Sequence, residues 1–434
     1  MTDTDVPKAS RREFLQSSAA VAAGAAAAQL AGPAVVSTAG AIDKFLKVGL
    51  VGCGGRGTGA AAQALTADPH VELTAMGDLF EDQLQNSLAI LRKELPDKVA
   101  VTPERCFLGF DAYQKVIDSG VDVVLLCTPP GFRPMHLKAA VDAGKHTFVE
   151  ITAAIDAPGV RSCLESAGLA QRKNLAIVSG FCWRYNSAAR AVREQIVAGT
   201  IGEVRAIYAT YYRAGLSHKH LGPRDPRWSD LEWQLRDWHD YTWLSGDVII
   251  LLSGGHSVDK MSWWLGDEMP VKAVAVGGRN FPSDGNIFDH AFVVYEYANG
   301  IRGFLGARGH DGCHTENADH IIGTKGIGTF FGGRRPFIEG QTNWRYTGEM
   351  NNMYQTEHDE LFASIRAGRP INDGVRMAHT TLMAIMGRMA AYTGEEITWD
   401  MALNSQQSLV PDKLDWNTKV ERTPLAKPGL TKFV

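Results

Sequence analysis

The feature that most constrains this chain is a run of glycines set between two apolar segments. Residues 44–51 (KFLKVGLV) form a short apolar run, and Gly52-Cys53-Gly54-Gly55-Arg56-Gly57 follows at once. An Ala-rich segment of helical character, Thr58–Ala67, comes next, and a second apolar run, Val71–Met76, ends just before Asp78. Strand, G-x-G-x-x-G, helix, strand and acid, in that order, predict a βαβ unit that cradles a dinucleotide. The glycines permit a tight turn and let backbone N–H groups approach a pyrophosphate at the helix N-terminus. Asp78 stands 21 residues beyond Gly57, where a carboxylate can hydrogen-bond the adenosine ribose hydroxyls. The acid favours NAD over NADP, because it would repel a 2′-phosphate, although Arg56 could offset that repulsion.

The α/β rhythm continues downstream. Asp111–Asp118 reads as helix, and Val121–Cys127 (VDVVLLC) as a parallel strand buried on both faces. Thr128-Pro129-Pro130 breaks that strand at its C-terminal end, where ligands of doubly wound sheets bind. A helix over about Met135–Ala143, a strand over Thr147–Glu150, a helix over Ala157–Arg172 and a strand over Leu175–Ser179 complete the pattern. Asn286–Gly300 reads as strand, Gly326–Gly333 as turns, and His358–Ala367 and Arg376–Tyr392 as helices. The expected fold class is α/β, with a dinucleotide-binding domain over 44–180, a second domain over 181–400 and an extension over 401–434. That extension has few core signals and either wraps a neighbouring subunit or lies on the surface.

Composition bounds the partners. The chain has 434 residues, with 44 basic against 48 acidic and a net charge of −4, so it lacks the basic excess of a nucleic-acid binder. The cysteines form no CxxC pair, which leaves out zinc-ribbon and redox motifs. Ser10-Arg11-Arg12-Glu13-Phe14-Leu15, followed by the Ala-rich run from Ala19 to about Val36, reads as a twin-arginine export signal over residues 1–41. With that segment removed, no membrane span is expected. The protein is thus expected outside the inner membrane, in the periplasm or beyond.

Taken together, VGLVGCGGRG, VDVVLLCTPPGFRPMH, AGKHTFVE, GFCWRYN (Gly180–Asn186), Ile201-Gly202-Glu203-Val204, the segment from Ser253 to Gly266 and IIGTKG resemble the glucose–fructose oxidoreductase, inositol dehydrogenase and MocA family. The resemblance covers about Lys47 to Thr398. It implies a Rossmann domain followed by an α/β domain whose large, open, mostly antiparallel sheet presents one face to the nicotinamide and often mediates homo-oligomers. It also implies NAD and a small carbohydrate or polyol substrate.

Two departures from the family pattern stand out. The usual Glu-Lys-Pro reads Glu150-Ile151-Thr152 here, so the lysine that polarises or relays the reacting hydroxyl proton is an isoleucine. The acid expected four residues before a histidine is Leu252, within the apolar run Val248–Leu252, while His256 and Asp259 fit. Alcohol oxidation needs a base for the hydroxyl proton, and neither Ile nor Leu can hold one. His256 is the leading candidate, with an ordinary pKa near 6.5; the alternative is a structural histidine.

The dinucleotide contacts are expected at Gly52, Gly54, Gly57, Arg56, Asp78, Thr128, Pro129 and Glu150, and substrate contacts at Arg184, Tyr185, Trp238 and His239. The dense run His218-Lys219-His220 reads as a solvated loop in which Lys219 could supply an ammonium. His310 and His314 have a metal-like spacing but read as loop chemistry, so no metal is expected. Two functions remain open on these residues. One is an exported sugar oxidoreductase, or redox-neutral sugar-modifying enzyme, with tightly held cofactor. The other is a catalytically disabled relative that binds NAD and serves as a sugar-binding or assembly protein.

Overall fold

Short β-branched runs flanked by glycine make the first layer. The computed structural model describes residues 44–215 and 223–434; the twin-arginine segment and His218-Lys219-His220 lie outside them. Strands β1 (Leu46–Val51), β2 (Val71–Asp78), β3 (Cys106–Leu108), β4 (Val123–Leu126), β5 (His146–Val149) and β6 (Ile177–Ser179) form a sheet of order β3-β2-β1-β4-β5-β6. Each pairing in it is parallel. This is the doubly wound order whose reversal, between β1 and β4, opens a crevice at the strand C-termini. All four residues of β4 are fully buried, as a strand covered by helices on both faces requires.

The second layer is built from alternating strands. β7 (Val204–Arg213), β8 (Lys272–Gly278), β9 (His290–Glu296), β10 (Arg302–Gly309), β11 (Glu316–Gly323), β12 (Gly326–Phe331), β13 (Phe337–Gly340), β14 (Trp344–Arg345) and β15 (Ile397–Thr398) form one open sheet. Only β7 and β10 run parallel; the other pairs are antiparallel. Ala291, Val293 and Tyr295 of β9 face the core, where the Tyr295 hydroxyl donates to the Met383 carbonyl at 3.2 Å. Phe292, Val276 and Ile327 face outward and are exposed. The stretch Gly326–Gly333, expected as turns, is instead strand β12, paired on both sides. Its Gly326 lets β13 come close, since a Cβ there would meet the Glu339 carbonyl at 2.7 Å.

The chain then returns to the first layer. Helix Met353–Arg366 packs on helix Gly55–Ala67, and helix Gly374–Thr393 on helix Ala157–Arg172. After Asn404, Leu409, Leu414 and Val420 pack on this chain's own cluster around Phe132, Trp233 and Trp243. No described helix is long and apolar enough to cross a membrane.

One buried charge pair locks helix Gly254–Trp264 onto β11. Lys260 Nζ lies 2.6 Å from Asp319 Oδ2 and 3.2 Å from Asn317 Oδ1, between the rings of Trp183 and Phe330. Both charged residues are fully buried. Removing one partner strands the other without solvent. Lys260→Met should therefore cost about 3–5 kcal/mol in denaturant unfolding, and Lys260→Met combined with Asp319→Leu should recover most of it.

Candidate functional site: the cleft between glycine turn and second layer

Steric pressure builds the glycine turn. Gly52 has φ of +95°, and a Cβ there would meet the Thr128 amide nitrogen at 2.6 Å. A Cβ on Gly57 would fall 1.9 Å from the Gly52 carbonyl oxygen, so only glycine lets helix Gly55–Ala67 start that close to β1. At Gly54 and Gly55, by contrast, nothing lies within 4 Å of where a Cβ would stand. The backbone at the helix N-terminus is thus bare toward the cleft, which suits a pyrophosphate.

The cleft has a volume of about 390 Å³ and opens at the C-terminal ends of β1, β2 and β4. Gly52, Gly54, Gly57, Arg56, Asp78, Thr128 and Pro129 all line it, and so do Trp238 and His239 from the second half of the chain. Asp78 Oδ2 accepts from the Cys53 amide at 2.6 Å and Oδ1 from the Phe80 amide at 2.9 Å. Burial raises its pKa, and these amides oppose the rise. A carboxylate offers about four acceptor sites, so Asp78 can brace the turn and still take ribose hydroxyls.

Several lining residues are not apparent from the sequence. His136 lies within the CTPPGFRPMH segment; its Nδ1 is 3.1 Å from Thr128 Oγ1, and its ring stacks on Tyr113 at 4.2 Å. Burial, followed by the charge of Arg133, pushes His136 down to about 3, so it is neutral and orients Thr128. Phe80 and Phe110 line the Asp78 end. Arg236 reaches across from the second half, its guanidinium 3.9 Å above the Phe80 ring and 3.1 Å from Asp82. No local pattern announces these residues, because each gains its place through a distant partner.

Two of the expected cofactor residues are paired with each other. Arg56 lines the cleft, yet its guanidinium is engaged by Glu150, by Glu357 at 3.2 Å and by Gln63 at 2.9 Å. Burial works against its charge, but Glu150 and Glu357 hold it firmly protonated. It is therefore committed to two carboxylates and does not offset Asp78. Glu150 does not line the cleft; its carboxylate accepts from Arg56 and from the Ile151 amide at 3.2 Å. Its role is to anchor Arg56 beneath the turn. Glu357, fully buried, has its pKa driven up by burial and then by the charge of Glu150.

His256 stands next to this cluster. Its ring lies parallel to Tyr211 at 6.2 Å and edge-on to Phe181 at 6.3 Å. Its Nδ1 is buried and has no hydrogen-bond partner among the described residues. Burial lowers its pKa to about 4; Lys260 and Arg56 push the same way and Glu150 opposes them. The imidazole is therefore neutral and can accept a proton. Ile151 is buried in the core beside the Ile151–Thr152 cis peptide, and Leu252 packs against the same core. Neither lines the cleft, and nor does His256.

The two substrate candidates after β6 are engaged inside the protein. Arg184 Nε lies 2.9 Å from Asp259 Oδ2, its Nη2 lies 2.7 Å from Asp267, and Trp263 covers it at 5.4 Å. The Tyr185 hydroxyl donates to Asp373 Oδ2 at 3.0 Å. Both are buried and neither lines the cleft, because Asp259, Asp267 and Asp373 draw them inward. His310 turns away from His314 and toward Asp289, whose Oδ1 lies 3.1 Å from His310 Nε2 and 2.7 Å from His290 Nδ1. Asp289 Oδ2 also accepts the Asn280 and Phe281 amides at 2.8 and 2.9 Å, so this group forms a hydrogen-bonded clamp at the ends of β8 to β10.

Fold and cleft together define a dinucleotide-binding protein of the oxidoreductase class. The family model described as "Oxidoreductase family, NAD-binding Rossmann fold" matches residues 46–198, and that of the GFO/IDH/MocA C-terminal domain matches 189–328. The chain belongs to the GFO/IDH/MocA family, and its first domain is the NAD-binding Rossmann domain of that family. It is 24% identical over 257 residues to an inositol 2-dehydrogenase of Cereibacter sphaeroides, covering 59% of this chain and 65% of that one. It is 28% identical over 208 residues to a glycosyl hydrolase family 109 protein of Solibacter usitatus, covering 47% of this chain and 46% of that one. The chain thus spans less than two thirds of either relative. Levoglucosan dehydrogenase in complex with NADH and levoglucosan shares the fold, with a TM-score of 0.65 at 18% identity over 81% of this chain and 99% of that one.

The neutral state of His256 has a direct consequence. A step that needs its free imidazole should run at a level rate from pH 8 to about pH 6 and fall only as pH approaches about 4. A midpoint near the ordinary histidine value in the pH profile, or in an NMR titration of the ring, would remove His256 from this environment.

Proposed function

We propose that the protein is an exported, NAD-dependent oxidoreductase acting on a sugar, glycoside or polyol with its dinucleotide tightly held. The observation that carries this reading is His256: neutral, with a buried unpartnered Nδ1, beside the Arg56–Glu150 cluster under an intact glycine turn. The dinucleotide, when bound, accepts a hydride from the carbinol carbon. The chain's own residues do the rest. The glycine turn and the bare helix N-terminus hold the pyrophosphate, and Asp78 takes the ribose hydroxyls. With Arg56 committed to Glu150 and Glu357, Asp78 favours NAD over NADP. His256 takes the hydroxyl proton at a ring nitrogen, the role that neither Ile151 nor Leu252 can fill. Trp238 and His239 contribute an aromatic wall to the cleft.

The relatives support a carbohydrate or polyol, since they include an inositol dehydrogenase and a glycosyl hydrolase family 109 protein. The twin-arginine segment supports export with the cofactor loaded. Outside the membrane no pool of free dinucleotide is expected, so either a second substrate resets the bound cofactor or one cycle oxidises and re-reduces the same substrate. A transient ketone acidifies the neighbouring C–H, which opens elimination, hydrolysis or epimerisation. The exposed apolar residues Val276, Phe292 and Ile327 on the outer sheet face support a homo-oligomer. The apolar character of Ile151 and Leu252 favours one competing reading, a disabled relative that binds NAD and sugar without hydride transfer.

The test is to incubate the purified protein with a sugar panel and follow reduction of bound NAD by its near-ultraviolet absorbance. Turnover should drop by about 10²–10⁴-fold in His256→Ala, and Ile151→Lys with Thr152→Pro should raise it on ordinary polyols. No hydride transfer from any sugar, in wild type or in the restored variant, would favour the disabled relative. The location has its own check: residues 1–41 fused to a reporter should direct export, and Arg11→Lys with Arg12→Lys should block it.

A further inference from the structure

The segment after Asn404 runs over both halves of the molecule. It starts at Ser405, whose carbonyl accepts from Arg161 Nη1 at 3.1 Å, and the Leu409 amide donates to Asp156 Oδ2 at 2.9 Å, both contacts on the first layer. Trp416 then sets its ring 5.0 Å from Phe110 and 6.0 Å from Phe80, two residues that line the Asp78 end of the cleft. From there the chain crosses to the second half. The Val420 carbonyl accepts from Gln234 Nε2 at 3.3 Å, and the Thr423 carbonyl from Asn286 Nδ2 at 3.2 Å. The Gly429 amide donates to the Thr393 carbonyl at 2.6 Å, and the terminal Val434 carbonyl returns to the Ser405 hydroxyl. Leu409, Leu414 and Val420 join one apolar cluster with Phe132 and Phe80 from the first half and Trp233, Trp238 and Trp243 from the second.

We infer that residues 405–434 are a strap across the adenine end of the cleft, with Trp416 as its buckle, and that the strap slows release of the bound dinucleotide. The inference rests on the reading of this cleft as the dinucleotide site. A dinucleotide held between two walls leaves only when the walls part. Here Phe80 and Phe110 come from the first half of the chain and Arg236, Trp238 and His239 from the second, with Arg236 lying over the Phe80 ring. Parting them requires the tail to lift from at least one half, which breaks the ring contacts of the half-exposed Trp416 with Phe80 and Phe110 and uncovers Leu409, Leu414 and Val420. Those contacts are absent from the open state, so the strap raises the barrier to release rather than adding a contact to the ligand itself. A protein working where free dinucleotide is absent gains directly from such slow exchange. Trp416 is thus a positioning residue, acting through Phe80 and Phe110.

The experiment uses the full chain. Wild type, Trp416→Ala and Trp416→Phe are loaded with NADH, mixed with a large excess of NAD, and the loss of bound-NADH fluorescence is followed in a stopped-flow instrument. Release should be about tenfold faster in Trp416→Ala, with binding accelerated as well because the dinucleotide-free cleft is strapped too, and Trp416→Phe should restore most of the retention, since an aromatic pair remains. Equal release rates in wild type and Trp416→Ala would overturn the strap. A second measurement stands apart from the identity of the ligand. Amide hydrogen exchange in dinucleotide-free protein should speed up at residues 79–82 and 230–236 in Trp416→Ala while β1 and β4 stay protected. Unchanged exchange there would overturn the strap. If wild type binds no NADH while exchange responds as expected, the cofactor reading fails and with it the role in dinucleotide release, while the tail's hold on the two halves stands.

Discussion

The contact on which the site depends is the approach of Gly57 to the Gly52 carbonyl, where a single added carbon would overlap backbone at 1.9 Å. That closeness aims helix Gly55–Ala67 along the crevice between β1 and β4 and brings its free N–H groups to the cleft edge. It also brings Arg56, one residue earlier, over the end of β5. Once there, the guanidinium collects Glu150 and Glu357, and it lies over the rings of Phe148 and Tyr354. The position of helix Met353–Arg366, which carries Glu357 and Tyr354, follows from the same contact. A steric constraint in the first turn thus determines where a helix from the far end of the chain docks.

The charge cluster then shapes the chemistry available nearby. Arg56 and Lys260 are both cations within electrostatic reach of His256, and both disfavour its protonated form, as burial does more strongly. In the family pattern a lysine at position 151 would add a third cation at the end of β5. Its replacement by Ile151 removes a proton carrier but also relieves that repulsion, which leaves Glu150 to favour the protonated form of His256 against those two cations. Catalysis through a neutral imidazole and catalysis through an ammonium are alternative electrostatic solutions, and the role proposed for His256 is the first.

Much of the first domain was legible because its signal is carried by the backbone. Glycines at fixed spacing, an apolar run before them and an acid at the end of the next strand each correspond to one local geometric need, and Gly52, Gly54, Gly57, Asp78, Thr128 and Pro129 all fall in the cleft. Helix Ala157–Arg172 was legible from end to end, with Asp156 capping it by accepting the Gly159 amide. The internal partners of Arg184 and Tyr185, Asp259 and Asp373, were not legible because they are more than seventy residues away in sequence. β12 was misread because its glycines resemble turn residues, whereas Gly326 serves the close approach of β13. The tail was opaque for another reason. Leu409, Leu414, Trp416 and Val420 follow neither a helical nor a strand period, since an extended segment lying over a surface takes its spacing from the surface.

The strap and the apolar substitutions bear on one another. A dehydrogenase that exchanges NADH every turnover is limited by how fast its cleft opens, and a tail fastened to both halves works against it. A cycle that returns the hydride to the same substrate never needs that opening; only the substrate must come and go. In the proposed cycle the substrate meets His256, whose ring stacks on Tyr211, while Trp416 packs on Phe80 and Phe110. Slow cofactor exchange and free substrate exchange are compatible here because the aromatic contacts of Trp416 are made at the Asp78 end of the cleft and not at His256 or Tyr211. Loosening the tail would favour net oxidation over the closed cycle, by letting reduced cofactor escape before the hydride returns.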